Sequence, residues 1–170
     1  MDTAASERLT LRPIIPDDRE FLFRLYASTR EEELAAVPWS DEQKEVFLRQ
    51  QFNAQHTWWT EHYAGASFDV VLLDGEPVGR LYVDRWEREI RVVDIALLPR
   101  CRGSGIGTAL LSRIFTEADR NGKAVSVHVE VFNPARRLYE RLGFVEKADK
   151  GVYLLLERPP AGAAAVSGPS

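Results

Sequence analysis

The chain is poor in the residues that build disulfides, metal sites and membrane spans. Its one cysteine, Cys101, excludes an internal disulfide and a site made of several thiolates. Its three histidines, His56, His62 and His128, have no zinc-like spacing, so we expect no metal. Because no apolar run is longer than a strand, we expect no membrane contact, no secretory signal and a cytoplasmic location.

The chain also has fewer basic than acidic residues. The 22 Lys and Arg against 26 Asp and Glu give a net charge of −4, so we expect no nucleic-acid partner and lean toward cationic small molecules or peptides. A chain of 170 residues can bury one full core but not two ordinary ones. We therefore expect a single domain over residues 1–158 and a disordered tail over residues 159–170, which lack any apolar period.

The apolar pattern of the first part predicts strand, helix, helix and hairpin. Alternation over residues 9–13 predicts a strand, and helical spacing of apolar residues predicts the helix that follows. A capping-box spelling at residues 40–43 begins a second helix, which we expect to end near Phe52, with the ring-rich segment 56–63 as a connector. Asp74-Gly75 between two apolar runs predicts a hairpin.

The pattern of the remaining chain adds strands and helices in alternation. A further strand ends at Leu98, and a helix follows a glycine-rich turn. Valines alternate with polar residues over residues 125–131, so the polar face of this fifth strand could line a cleft. Asn133-Pro134 begins a last helix, and a final hairpin follows. The order β-α-α-β-β-β-α-β-α-β-β predicts a mixed α/β (α+β) sheet with helices on both faces.

The glycine-rich turn carries the strongest functional signal. Residues 92–111 read VVDIALLPRCRGSGIGTALL, which predicts a strand, a tight turn and the start of a helix. The first turn of a helix has four unpartnered backbone N–H groups and about half a positive charge, so it attracts phosphate. Glycines let the backbone approach such a ligand, and Arg102 supplies a cation beside it.

The spacing of the glycines separates three kinds of phosphate site. A Walker loop would need a lysine after Gly107, and a dinucleotide fingerprint would need glycine where Thr108 or Leu110 stands. The spelling that fits is R-x-x-G-x-G, from Arg102 to Gly107. Here the chain resembles the GNAT N-acetyltransferase superfamily, and residues 95–99, IALLP, resemble the fourth strand of that family.

A second motif strengthens the resemblance, which extends over about residues 9–157. Residues 133–144, NPARRLYERLGF, are similar to the family's N…A…LY…GF signature, with one residue fewer between asparagine and tyrosine than the commoner spelling. The resemblance implies a GNAT-like fold in which strands four and five splay around the cofactor. It also implies an acetyl-CoA-dependent N-acetyltransferase that acts on a primary amine of a small molecule, amino acid or peptide through a ternary complex.

The resemblance assigns cofactor and catalytic residues. The Leu97 N–H is expected to donate to the thioester carbonyl, and Tyr139 to protonate the leaving thiolate as the general acid. The cofactor-binding residues implied by the two motifs are Leu97, Leu98, Arg102, Gly103, Ser104, Gly105, Ile106, Gly107, Thr108, Asn133, Arg136 and Tyr139. No base stands beside Cys101 in the sequence, so direct attack by the amine is expected instead of an acyl-enzyme.

The general base and the acyl acceptor are left open by the sequence. Asp94 is the first choice for the base, and Glu130, His128 or a water molecule are alternatives. In the resembled fold the first two helices face the acceptor, so the candidates are Tyr26, Glu33 and Trp39. The competing function is an acyl-CoA-binding regulatory domain without turnover. The final strands also offer edges along which a homodimer could form.

Overall fold

One seven-stranded sheet organises the chain in the computed structural model, which describes residues 7–131, 133 and 135–162. Its strands are β1 (Leu9–Pro13), β2 (Ser67–Leu73), β3 (Glu76–Arg85), β4 (Glu89–Leu97), β5 (Ala124–Glu130), β6 (Val145–Asp149) and β7 (Tyr153–Arg158). Its α-helices are α1 (Arg19–Ser28), α2 (Glu31–Ala35), α3 (Asp41–His62), α4 (Ile106–Arg120) and α5 (Arg136–Arg141). Short 3-10 turns occupy Pro16–Asp18 and Pro99–Cys101. In the described residues, no helix has the length and apolar character needed to cross a membrane.

The strand order confirms the predicted mixed fold. The strands run β1-β2-β3-β4-β5-β7-β6, so the last hairpin places β7 next to β5. β4 and β5 pair in parallel from Glu89↔Ala124 to Val92↔Val127, and β4 then continues to Leu97. The pairs β1 with β2, β5 with β7 and β6 with β7 are antiparallel. Asp74 and Gly75, at φ of 52° and 81°, form the expected tight turn between β2 and β3.

Helix α3 shows where the sequence-based prediction was wrong. The capping box is present, because the Ser40 hydroxyl accepts from the Gln43 N–H and the Gln43 side chain accepts from the Ser40 N–H. The helix does not end at Phe52, however, but runs for 22 residues to His62. Rings spaced by four residues stack along it, Phe52 on His56 at 5.8 Å and Trp58 on His62 at 3.9 Å. The ring-rich segment is therefore helical, because helical spacing lets its rings contact each other.

Contacts divide the described chain into two compact units. The first unit contains the residues up to Leu81 together with Ile95–Ile106, and the second contains Tyr82–Asp94 together with the residues from Gly107 onward. The expectation of one domain over residues 1–158 stays a prediction. Of the expected disordered tail, residues 163–170 lie outside the described residues, whereas the Ala161 N–H donates to Asp119 at 2.8 Å.

Each unit has its own apolar core. In the first unit, α1, α2 and α3 pack through Leu22, Phe23, Tyr26, Leu34, Leu48 and Phe52. In the second unit, Phe115 of α4 contacts Phe144 at 5.8 Å, and the Arg158 guanidinium lies 4.3 Å from the Phe115 ring centroid. Val125, Val127 and Val129 of β5 are buried as expected. Ser126, which we expected on an open polar face, is fully buried because Arg91 and Glu89 bond to its hydroxyl.

A partly buried ion pair holds the start of α1 against β1. The Asp18 carboxylate is 6% exposed and accepts two hydrogen bonds from Arg12, both at 2.7 Å, and one from the Ile15 N–H at 2.8 Å. The hydrogen bonds from Arg12 are the main reason that the pKa of Asp18 lies below its usual value of 3.8.

We expect Asp18→Asn to destabilise the protein by about 2 kcal/mol, because a neutral amide replaces a buried charged acceptor. Since the folded pKa of Asp18 is lowered, its contribution is full above the unfolded pKa and is lost as the pH falls through the folded value. Urea unfolding at pH 7 and at pH 3 should therefore show a smaller difference between variant and wild type at pH 3. An equal difference at both pH values would contradict this account.

Candidate functional site

The turn after β4 has the backbone shape that an anion needs. Gly103 and Gly105 have φ of 73° and 87°, a left-handed conformation that costs glycine little and other residues about 1 kcal/mol or more. A Cβ built on Gly103 would meet nothing within 4 Å, so this part of the turn faces open space. Arg102, Gly103 and Ser104 are exposed, and α4 begins at Ile106. The bare backbone of the turn therefore fits a diphosphate group.

The end of β4 leaves one backbone donor directed away from its neighbouring strand. The Leu98 N–H donates to the Val78 carbonyl of β3 at 2.8 Å, and the Leu98 carbonyl accepts from the Cys101 N–H at 2.9 Å. Because consecutive residues of a strand direct their N–H groups to opposite sides, the Leu97 N–H points away from β3. Leu97 thus fits the expected donor role, whereas the Leu98 N–H is already engaged.

Gly79 is a position of close strand approach that the sequence analysis missed. A Cβ at Gly79 would lie 2.3 Å from the Ala96 carbonyl oxygen and 2.8 Å from Leu97 Cδ2. β3 can therefore lie this close to the end of β4 only because residue 79 has no side chain. The available signal was an isolated glycine inside a strand pattern, which often marks a close backbone approach.

The guanidinium of Arg102 is hydrogen-bonded to other residues of the chain. Its Nε donates to the Leu97 carbonyl oxygen at 3.0 Å, and its Nη2 donates to the Ser28 hydroxyl at 3.1 Å. The sequence predicted a cation placed beside phosphate. In the structure the side chain folds back along the turn and links β4 to the last residue of α1.

The second unit brings Tyr139 and Asp94 into electrostatic contact. Tyr139 of α5 is 5% exposed, and its ring meets Phe144 edge to face at 5.3 Å. Burial raises the pKa of the Tyr139 phenol, and the negative charge of Asp94 raises that pKa further. The phenol is therefore protonated throughout the neutral range.

His128 is poorly arranged to act as a general base. Arg91 Nη1 lies 3.3 Å from His128 Nδ1, and arginine can only donate, so Nδ1 accepts and the ring proton is assigned to Nε2. Burial and the nearby Arg91 lower the pKa of His128, so the ring is neutral near pH 7. Neither nitrogen then offers a free lone pair. Among the other expected bases, Asp94 acts electrostatically on Tyr139.

The remaining cofactor candidates lie at two helix starts. Gly107 and Thr108 belong to the first turn of α4, where Thr108 is exposed. The Asn133 side chain accepts from the Ala135 N–H at 2.9 Å, and Arg136 Nε donates to Glu140 at 3.1 Å. Pro134, the residue expected to begin α5, lies outside the described residues. Local bonds therefore engage the Asn133 and Arg136 side chains.

The expected acceptor residues lie in the first unit but do not converge. Tyr26 is 5% exposed beneath the Arg30 guanidinium, 5.5 Å from its ring centroid, and Glu33 pairs with Arg30 at 3.2 Å. Trp39 is exposed and packs on Phe47, with ring centroids 5.3 Å apart.

A groove of about 730 Å³ lies instead between α1, α2 and α3. It is lined by Phe23, Arg24, Ala27, Ser28, Glu31, Leu34, Ala35, Asp41, Lys44, Glu45 and Leu48, and none of the three expected acceptor residues is among these. Its floor is apolar and its rim carries three carboxylates and two cations, so an amine with an apolar body would fit it.

The family is decided by comparison of the whole sequence with known proteins. Residues 22–144 match the family described as Acetyltransferase (GNAT) family. The chain belongs to the GNAT acetyltransferase family. This confirms the resemblance drawn from the two motifs, and the mixed sheet with parallel β4 and β5 agrees with solved members of the family.

Relatives of this GNAT chain are distant. A curated protein named Uncharacterized N-acetyltransferase MJ1207, from Methanocaldococcus jannaschii, is 38% identical over 89 residues. That match covers 47% of this chain and 39% of the relative, so the chain spans well under half the length of that protein.

Solved structures agree in fold. The PaiA N-acetyltransferase of Thermoplasma acidophilum, in complex with coenzyme A, has a TM-score of 0.66 at 16% identity, over 89% of this chain and 98% of that one. An acetyltransferase from Thermus thermophilus has a TM-score of 0.65 at 21% identity, over 89% of this chain and 96% of that one.

Gly79→Ala should disturb the end of β4, because the added methyl group would meet the Ala96 carbonyl oxygen. We expect a loss of about 2 kcal/mol in the free energy of unfolding, in the range of overpacking. Urea denaturation gives the measurement. Gly65→Ala is the matched control, because residue 65 is exposed and a Cβ there meets nothing within 4 Å. Equal stabilities of the two variants would contradict the close approach.

Proposed function

We propose that this GNAT-family chain is an acetyl-CoA-dependent N-acetyltransferase that moves an acetyl group to a primary amine of a small molecule, amino acid or peptide by direct attack. The observation that carries the proposal is the turn between β4 and α4, with its two left-handed glycines and the outward Leu97 N–H. These are the features that a diphosphate-bearing thioester requires of a protein backbone.

The backbone of the turn would bind the cofactor. Acetyl-CoA, when bound, supplies the acetyl group as an activated thioester. In our proposal the N–H groups from Gly103 to Thr108, including those of Ser104, Gly105, Ile106 and Gly107, hold the pyrophosphate. The Leu97 N–H donates to the carbonyl oxygen on which negative charge develops. Leu98, Asn133 and Arg136 complete the proposed cofactor residues, whereas the Arg102 guanidinium is already bonded to the Leu97 carbonyl and to Ser28.

Two groups of the second unit would move the protons. Tyr139, which burial and the Asp94 charge keep protonated at neutral pH, donates its phenolic proton to the departing thiolate. Asp94, directly or through a water molecule, takes a proton from the ammonium form of the acceptor, so that the neutral amine attacks the thioester carbonyl. The Asp94 carboxylate would then serve both as a base and as a charge that holds the proton on Tyr139.

The acceptor is proposed to be a small cationic amine or the amino group of an amino acid or peptide. The net charge of −4 and the carboxylates of Glu31, Asp41 and Glu45 on the groove rim support a cationic acceptor. Tyr26, Glu33 and Trp39 remain proposed acceptor residues on the strength of the family resemblance.

Calorimetry with coenzyme A tests the central claim. We expect heat of binding with the wild type and at least about tenfold weaker binding with Gly105→Val, because a β-branched residue resists the left-handed φ of 87° and covers the backbone. Gly65→Val, at an exposed glycine with open space, is the control. Absence of heat with the wild type, or unchanged binding by Gly105→Val, would overturn the proposed function.

A panel of amines, aminoglycosides and peptides, assayed for release of coenzyme A, then tests turnover. Release with at least one cationic amine is expected. Tight binding of coenzyme A without release across the panel would instead favour an acyl-CoA-binding regulatory domain. Activity on neutral hydroxyl acceptors alone would contradict the acceptor class.

Tyr139→Phe should lower kcat at least about tenfold while the fold and the affinity for coenzyme A are kept, because only the proton donor is lost. Steady-state kinetics and calorimetry give the two quantities. Unchanged turnover would remove Tyr139 from the mechanism.

Asp94→Asn provides the companion variant. Loss of the carboxylate should displace the acidic limb of the pH–rate profile. An unmoved acidic limb would assign the base to another group.

A further inference from the structure

Arg102 donates two hydrogen bonds to acceptors within the chain, and neither bond is required for binding phosphate. Its Nε donates to the Leu97 carbonyl and its Nη2 to the Ser28 hydroxyl, at 3.0 and 3.1 Å. The Ser28 hydroxyl donates its own hydrogen to the Leu25 carbonyl at 2.6 Å, so it accepts the hydrogen bond from Arg102. The three groups form one chain of hydrogen bonds from the end of β4 to the last turn of α1.

These bonds lie at the start of the turn between β4 and α4, which we call the cofactor turn, and they restrict its backbone. Leu97 lies where the strand ends, and the Leu98 N–H is already fixed to Val78 of β3. The bond from Arg102 fixes the other side of the same peptide unit, since the Leu97 carbonyl and the Leu98 N–H belong to one planar group. The orientation of the neighbouring Leu97 N–H is thereby restricted.

We propose that Arg102 is a positioning residue, which clamps the end of β4 to the last residue of α1 and so aims the Leu97 N–H. This inference rests on the proposed function and deepens it. The planar fork of arginine can reach two acceptors at once, whereas lysine keeps the charge but not the fork. Ser28 also lines the groove between α1, α2 and α3, so the clamp connects that groove to the cofactor turn.

The clamp is first tested in the free protein, without any ligand. Urea unfolding of Arg102→Lys, Ser28→Ala and the double variant forms a double-mutant cycle. Because both single variants break the same bond, the double variant should be destabilised less than the sum of the two. Thr29→Ala is the matched control, since the Thr29 hydroxyl makes the same type of bond, to the Tyr26 carbonyl at 2.6 Å, next to Ser28. Arg102→Lys should add independently to Thr29→Ala.

The positioning role is tested by separating kcat from cofactor affinity. We expect Arg102→Lys and Ser28→Ala each to lower kcat by about threefold to tenfold, while the Kd for coenzyme A measured by calorimetry changes less than about twofold. Ser28→Thr, which keeps the hydroxyl, should restore kcat.

Two results would overturn the proposal. If the losses in the free energy of unfolding for Arg102→Lys and Ser28→Ala simply add in the double variant, the two residues are not coupled and the clamp does not exist. A Kd for coenzyme A raised about tenfold or more in Arg102→Lys, with Ser28→Ala equal to wild type, would make Arg102 a phosphate ligand instead. A wild type that binds no coenzyme A would refute the proposed function alone, and the stability cycle would still decide whether the clamp exists.

Discussion

The end of β4 is the constraint on which the rest of the site depends. At this point the strand ends, the Leu97 N–H is directed away from β3, and the chain turns into a helix. Gly79 lets β3 lie close to the strand end, the Leu98 N–H ties that end to Val78, and Gly103 and Gly105 adopt the left-handed angles of the turn. Backbone groups therefore form most of the proposed cofactor site.

Local environment determines the protonation of the ionisable side chains that the sequence offered as catalytic candidates. From the sequence, Tyr139 was the expected general acid and His128 was one alternative for the general base. Burial and the Asp94 charge keep the proton on Tyr139, whereas Arg91 occupies the Nδ1 lone pair of His128 and lowers its pKa. The protonated Tyr139 phenol and the neutral His128 ring result from the same two physical causes, desolvation and nearby charge.

Much of the fold could be predicted because the deciding interactions are local. The Asp74-Gly75 turn, the Ser40 capping box and the alternating valines of β5 each involve residues close in sequence, and each prediction was confirmed. One failure involves distant partners, and the other involves contacts within a single helix. Ser126 is buried by residues about 35 positions earlier, on β4, and the true length of α3 depends on ring contacts that outweigh the weak helix propensity of aromatic residues.

The sequence by itself determined the glycine turn, its phosphate-attracting helix start and the family, because these follow from residue order and from angles that only glycine adopts cheaply. Only the tertiary structure decided what Arg102 and Gly79 do. The partner of Arg102 is 74 residues away on α1, and the neighbour that excludes a side chain at Gly79 lies on another strand. A side chain's role depends on the atoms that folding brings beside it, and spacing along the chain does not specify those atoms.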